Sequence, residues 1–561
     1  MSNVVPPAAH ADLNKETRVA LDRQQLHVLD PGKLHPVLLP PCNLRILIVL
    51  DGEGTGFGGT DFGLQDLLGV LAVPPGPWVS LEVTKAHRRN DPDADITSFR
   101  FDTHDLSQYD QMWLFAVERA GSEISEPELR AISQFMDGGG GVFATGDHED
   151  LGVAMCGAIP RVRSMRKWHW PNPGPNGEPV APAVDGPNRH DTLSEGNDPG
   201  IQLDDQSDDI PQRITPRLYS RWPWNKFFFV SHPHPLLSGP RGAIRVLPDH
   251  PHEGECYEPS DLTASFTFDG YNVTEYPSGI APEVIAYSTI VGRAVDALKG
   301  PLNPRTYGAI GAYDGHRASI GRVVVDATWH HFFNINLTGE LGDPGPIKNL
   351  GFLATPAGQA AFADIKTYFR NIAVWLARPS NQAGMAWRAL WWARWHHVLA
   401  MDLRPHFLER AEALELGELV RIGSAARDVL GRVAGQCHVV RWIGWEIIRP
   451  LRPDIWKGLE QLLDPWYPAQ DAREVAPGAE PLPDVTMPMH AETLLDAVLG
   501  GLVYGIAAAF PRADNDARGR AEQVQWPDIV DQHLTRSVEL VAEHVRSCTE
   551  QGADFVQRLV H

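Results

Sequence analysis

The sequence predicts a doubly wound α/β domain with a mostly parallel sheet and insertions, followed by an all-α C-terminal region. Three observations predict it. Continuous apolar runs rich in β-branched residues, such as "LRILIVL" (44–50), read as strands buried on both faces. Between two such runs, "ISEPELRAISQFMDGGGG" reads as a helix with an early proline and a glycine stop. That is the strand–helix–strand grammar of a parallel sheet. After about residue 355, apolar residues recur instead at steps of three and four.

In chain order, residues 1–43 are Pro-rich and polar at both ends and read as an N-terminal arm. The α/β domain is expected over 44–355. Its strands are 44–50, "WVSLEV" (78–83), "QMWLFAV" (111–117), "GVFAT" (141–145), "KFFFVS" (226–231), "EVIAYS" (283–288) and "GRVVVDAT" (321–328). Two insertions interrupt it. Residues 170–220 are rich in Pro, Gly, Asn and Asp, and 185–210 carry eight acidic side chains against one arginine, which reads as a lid or as a disordered segment. Residues 248–280 read as a small β excursion. In the all-α region, 356–561, Phe362, Ile365, Phe369, Ile372 and Leu376 form one apolar stripe. Trp387, Trp391 and Trp395 share a helical face and read as aromatic core. A Pro-rich linker, 464–488, precedes final helices near 489–510 and 518–560. This region is expected to pack on the sheet domain or to build a homo-oligomer.

At 561 residues the length prior is two to four domains, and 43% hydrophobic with 21% charged residues is globular rather than disordered. A net charge of −22 without a dense basic run excludes a nucleic-acid partner. The five cysteines, Cys42, Cys156, Cys256, Cys437 and Cys548, are scattered without a CxxC, so a reduced, cytoplasmic protein is expected. No basic flank leads an apolar segment, so no secretory signal is expected. "LLDAVLGGLVYGIAAAF" (494–510) contains Asp496 and is short for a span, so a buried helix rather than a membrane anchor is expected.

Ligands of open parallel sheets bind at the carboxyl ends of the strands. Here those ends carry Asp51, Glu118, Asp147-His148-Glu149, His232 with His234, and Trp329-His330-His331. Their coincidence predicts a site; equally, polar residues begin wherever buried strands stop. Neutral imidazole and carboxylate suit Zn, Mn or Fe, so His148, His330 and Asp51 are candidate ligands of a divalent metal. Glu149, Asp147 and His331 are candidate catalytic groups, and Glu118, His232 and Glu255 candidate substrate contacts. His250, His252, Glu253 and Glu255 are further metal candidates. Adjacent His330 and His331 in extended chain would point to opposite faces, so only one would face the site. Gly54, Gly56 and Gly59 match GxGxxG after a strand, a weak dinucleotide signal, since Glu82 precedes the end of the second strand. A loop kept small for close approach is the alternative. After "GVFAT" the turn offers Gly146 and Asp147, not Ser or Cys, and Cys156 lies downstream as a buried thiol, which disfavours a nucleophile elbow.

Together, "LRILIVLDG", "LSQYDQMWLF", "GGGGVFATGD", "SHPHPLLSG" and "GRVVVDATWHHF", in this order over about 44–335, resemble the class I glutamine amidotransferase-like superfamily, particularly its ThuA-like (trehalose-utilisation-type) branch. The resemblance implies a flavodoxin-like sheet. It places Gly146 at the family's elbow cysteine and His330 or His331 near its histidine, so glutamine hydrolysis by thiolate is expected to be absent. ThuA-like members lack that triad as well, and the resemblance implies a carbohydrate-related or metal-linked role. The expected function is a hydrolase acting on a small polar substrate through a metal- or carboxylate-activated water. The alternative is a non-catalytic binding or scaffold protein assembled through its helical C-terminus; the weakest option is a dinucleotide-dependent oxidoreductase.

Overall fold

The structure is a computed structural model describing residues 39–147, 150–169, 212–221, 230–248, 255–290, 305–342, 349–396, 398–399, 403, 415–434, 442–453, 456, 491–510, 521 and 525–560. It divides into two compact units, one built from Cys42–Gly384 and one chiefly from residues after Met385.

In the first unit, nine strands form one sheet: β1 (Cys42–Leu50), β2 (Val79–His87), β3 (Gln111–Phe115), β4 (Gly141–Thr145), β5 (Gln212–Pro216), β6 (Val246–Leu247), β7 (Glu283–Ile290), β8 (Arg305–Tyr313) and β9 (Val323–Asp326). Their order is β6-β5-β7-β8-β9-β4-β3-β1-β2. The stretch β2-β1-β3-β4-β9 is all parallel, with Leu50 opposite Phe115 and Thr145 opposite Asp326. This is the 2-1-3-4-5 arrangement of a doubly wound sheet, whose switch point lies between β1 and β3.

Beyond β9, the joins β9–β8, β8–β7, β7–β5 and β5–β6 are antiparallel, so the sheet is mixed. β8 was not expected, and its glycines explain why. A side chain at Gly308 would collide with the Cys256 carbonyl, so the strand carries small residues where strands usually carry branched ones. The expected strand 226–231 lies partly outside the described residues, and Val230–Pro233 pairs with Leu218–Arg221 in a separate ribbon. Within 248–280, Ser265–Phe268 and Tyr271–Thr274 form a hairpin. Its turn residues Asp269 and Gly270 both have positive φ, 45° and 77°, the geometry that suits Asp-Gly. The acidic segment 170–211 is outside the described residues.

Helices cover both faces. On one, α1 (Gln65–Leu71) lies with Ile46, Ile48 and Leu50 of β1. On the other, α2 (Glu126–Asp137) sets Leu129, Ile132, Phe135 and Met136 against Leu47 and Val49. α2 starts where it does because the Glu128 carboxylate accepts both the N–H (3.0 Å) and the hydroxyl (3.0 Å) of Ser125. The short α3 (Val153–Cys156) and α4 (Asn334–Thr338) follow β4 and β9. The stripe Phe362, Ile365, Phe369, Ile372 and Leu376 lies on α5 (Pro356–Leu376) and is buried with Ile46 and Ile48 in one core. Each such side chain contributes roughly 1.5–3 kcal/mol. α5 therefore completes the sheet unit, which runs past residue 355 to Gly384, inside α6 (Pro379–Trp395).

The second unit is helical. α7 (Leu416–Ala434), α8 (Ala491–Ala509) and α9 (Trp526–Val560) pack through glycines: side chains at Gly423 and Gly500 would collide with the Asp496 and Leu419 carbonyls, and one at Gly501 with Ser537. Arg427 holds Asp496 in two hydrogen bonds, 2.8 and 3.0 Å. Trp391 is fully buried, edge-on to Trp395 (5.6 Å), Phe510 (5.0 Å) and Trp526 (5.7 Å), so the tryptophan face is core. Among the described residues, no helix is long and apolar enough to cross a membrane.

Candidate functional site

The carboxyl ends of β4 and β9, adjacent and parallel, bring Asp147 and the turn Thr328–His331 together. The Gly146 carbonyl accepts from Trp329 N–H at 2.9 Å, which locks the two exits. The Thr328 hydroxyl donates to Asp147 Oδ1 (2.7 Å) and accepts from His330 N–H (3.1 Å), so one side chain orients both groups. His330 Nε2 then lies 3.5 Å from Asp147 Oδ2. Its Nδ1 is 2.9 Å from Asn336 Oδ1 on α4, and its ring stacks on Trp329 at 4.0 Å and 28°. Asp147 is fully buried and His330 is 5% exposed. A buried carboxylate is tolerated only with partners of this kind.

His331 turns the other way. Its Nδ1 meets Asp326 Oδ1 at 2.6 Å, and Tyr368 of α5 donates its hydroxyl to Asp326 Oδ2 at 2.8 Å. All three are buried. The two histidines do diverge, though in a 3₁₀ turn (Trp329–His331) rather than in a strand.

The elbow position is closed. A Cβ at Gly146 would lie 2.6 Å from Trp168 Cζ3, 2.7 Å from Leu151 O and 3.1 Å from Arg166 Nη1. Arg166, fully buried, donates from Nε (3.1 Å) and Nη2 (2.8 Å) to the Ala327 carbonyl, and from Nη2 to the Asp147 carbonyl. Its guanidinium carbon lies 4.6 Å from the Trp168 ring centre. One arginine thus ties the backbone of both strand exits, although burial lowers its pKa from the ordinary value.

At the β1–β3 switch point, Asp51 accepts from Val117 N–H (2.7 Å), Glu118 N–H (3.4 Å) and the Ser122 hydroxyl (3.0 Å). Burial pushes its carboxyl up to about 6 against the pull of these bonds. Glu118 accepts from Glu53 N–H at 2.9 Å and pairs with Arg89 at 3.3 Å. The glycine-rich turn is occupied by the chain itself. Phe57 N–H donates to Asp91 Oδ2 (2.9 Å), Asn334 Nδ2 donates to Gly58 O (3.1 Å) and Thr60 O (2.7 Å), and a Cβ at Gly56 would lie 2.9 Å from Asp91. Close approach of Asp91 accounts for Gly56, and a positive φ of 83° for Gly54. Glu82 accepts from Asn43 (2.6 Å), and β2 runs on to His87.

Of the residues expected from sequence, Asp147 and His330 come together. Asp51 bonds to the β3 exit instead, and His331 to Asp326. Glu255, expected at the substrate, is an ion-pair partner of Lys167. His234 Nδ1 accepts from Leu236 N–H at 3.3 Å, capping a turn. Cys156 is buried, its thiol pushed up by burial. His148, Glu149, His250, His252 and Glu253, and the side chain of His232, lie outside the described residues. Among the described residues, no group of three His, Cys, Asp or Glu side chains is placed to hold a metal ion. Thr328, Asn336 and Arg166 were not anticipated as parts of the site, and Trp329 was named only within the strand end, without a role. In "HHFFNIN" Asn336 follows His330 by six positions, a spacing that shares no helix face, and the two residues lie in separate elements, so nothing local marked their contact.

No family model and no curated protein matches the chain. Among solved structures, the crystal structure of a protein described as ThuA-like, from Parabacteroides merdae ATCC 43184, is similar at 12% identity and a TM-score of 0.24, covering 60% of this chain and 90% of that one.

Proposed function

We propose that this chain is a hydrolase acting on a small polar substrate, with the Asp147–His330 pair activating water and no cysteine or serine nucleophile. The observation that carries the reading is the 3.5 Å approach of His330 Nε2 to Asp147 Oδ2, across two adjacent parallel strand exits. In this reading the Nδ1 proton is directed at Asn336 Oδ1, 2.9 Å away, and Nε2 is the basic nitrogen. Water attacking the electrophilic carbon gives its proton to Nε2, the bond from that carbon to the leaving group breaks, and the imidazolium beside the Asp147 carboxylate returns the proton to the leaving group. Such general-base assistance contributes roughly 10²–10⁴-fold. Glu149, two positions after Asp147 in the sequence, and His148 with His330 and Asp51 as ligands of a zinc, manganese or iron ion stay within the proposal as its metal-assisted form, in which such an ion would lower the pKa of the water. Affiliation with the ThuA-like branch belongs to the same reading and rests on the motifs of the chain.

A second reading, a non-catalytic amidotransferase-like scaffold, is favoured by the burial of Asp147 and His330 and by the filled elbow at Gly146. Full-length protein tested against small esters, amides, lactones and glycosides separates the two. Hydrolysis that falls at least about 100-fold in both His330→Ala and Asp147→Asn supports the enzyme. No hydrolysis across the set, or hydrolysis indifferent to both variants, rejects it. A rate unchanged by chelation removes the metal-assisted form.

A further inference from the structure

We propose that Arg394 and Trp395, at the end of α6, form a binding site in the helical unit for a small oxyanion such as phosphate. Arg394 is 2% exposed. Among the described residues its hydrogen bonding amounts to one long contact, Nη2 to the Leu403 carbonyl at 3.3 Å, and its buried Nε has no acceptor. Its guanidinium carbon lies 4.6 Å from the centre of the Trp395 ring. The indole N–H of Trp395 is likewise buried with no acceptor. Two donor-only groups in contact, one of them cationic, therefore share one deficit: both lack an acceptor.

No carboxylate among the described residues offsets the charge. Burial alone acts on Arg394, bringing the guanidinium down to about 10 with no anion holding it up. That sets it apart from Arg88 and Arg427, which meet Glu128 and Asp496 at 2.7 and 2.8 Å. The carbonyls at the end of α6 help a cation in the last turn only modestly. Burying a charge costs more than that, so the helix end does not balance it. A cation and an adjacent N–H call for an anion with more than one acceptor oxygen, and a guanidinium fork matches a phosphate or sulfate edge. The site is independent of the strand-end pair.

The experiment uses the full-length protein in chloride buffer, with inorganic phosphate or sulfate replacing chloride at constant ionic strength. A saturable rise in Tm of a few degrees is expected, because a ligand that binds only the folded state stabilises it. Arg394→Met should remove the rise, and Trp395→Phe should shift its half-saturation several-fold upward. Should Arg394→Met fail to fold, calorimetric titration of phosphate into the wild type and Trp395→Phe carries the same test. The absence of any saturable response in the wild type overturns the site, as does a response retained in Arg394→Met or unchanged in Trp395→Phe.

Discussion

The ring of Trp168 stands where a side chain at Gly146 would have to go: a Cβ there would meet Cζ3 at 2.6 Å. The glycine is thus part of a packed wall that includes Arg166 and the Leu151 carbonyl. The turn carries no side chain at this position and leaves no space for one.

Gly146→Ala is therefore expected to destabilise by about 1–3 kcal/mol, the usual cost of overpacking a close-packed interior. Gly146→Cys should cost at least as much and confer no glutamine hydrolysis. Denaturant midpoints and an ammonia-release assay check the two statements. Wild-type stability in either variant would mean that the wall yields.

Asp51 should make stability fall with pH across the weakly acidic range. Its folded value is raised from 3.8 to about 6, so the folded state holds the proton more tightly than the unfolded chain. The stabilisation is complete below the unfolded value and is lost as pH rises through about 6. The difference corresponds to roughly 3 kcal/mol. Unfolding free energies measured from about pH 4 to 7 should lose this downward component in Asp51→Asn, which is neutral throughout; a variant with the wild-type slope would place its origin elsewhere.

Tyr368→Phe should reduce stability by about 1–3 kcal/mol, because it strips a donor from the buried Asp326 carboxylate. His331→Ala should cost more, since it leaves the other oxygen of the same carboxylate without its 2.6 Å partner. Neither substitution touches the Asp147–His330 contact. Any hydrolytic rate, measured well below the unfolding transition, should stay within a few-fold of wild type in Tyr368→Phe, while a collapse of that rate would move Asp326 into the chemistry.

In the helical unit, Arg427→Met is expected to cost about 3–5 kcal/mol by stranding Asp496 without its cation. Arg427→Met combined with Asp496→Leu should recover much of that loss. Thermal midpoints of the single and double variants decide it, and an unrecovered double variant would show that packing around Gly423, rather than charge, holds α7 on α8.

Much of the sheet unit is written locally. β1, β3, β4 and β9 are buried on both faces and so read as unbroken apolar runs, and α2 and α5 carry stripes at helical spacing. β8 escaped notice because Gly308 and Gly311 are small to admit Cys256 and Met165, a demand made by neighbours far away in the chain. The same limit governs the site. Residue type and strand-end position mark Asp147 and His330, but nothing nearby in the chain reveals that Asp51 bonds to the β3 exit, or that Glu255 belongs to Lys167.

By itself, then, the sequence determined the alternation of strands and helices, the doubly wound parallel stretch, the helical C-terminal region and the rim on which polar groups gather. These depend on periodicities of two and of three to four residues, which are local. Only the tertiary structure decided which polar groups share hydrogen bonds, that Thr328 and Asn336 orient the Asp147–His330 pair, and that Trp168 and Arg166 fill the elbow. Those outcomes depend on contacts such as Thr328 with Asp147, 181 positions apart, whose geometry exists only once β4 and β9 lie side by side.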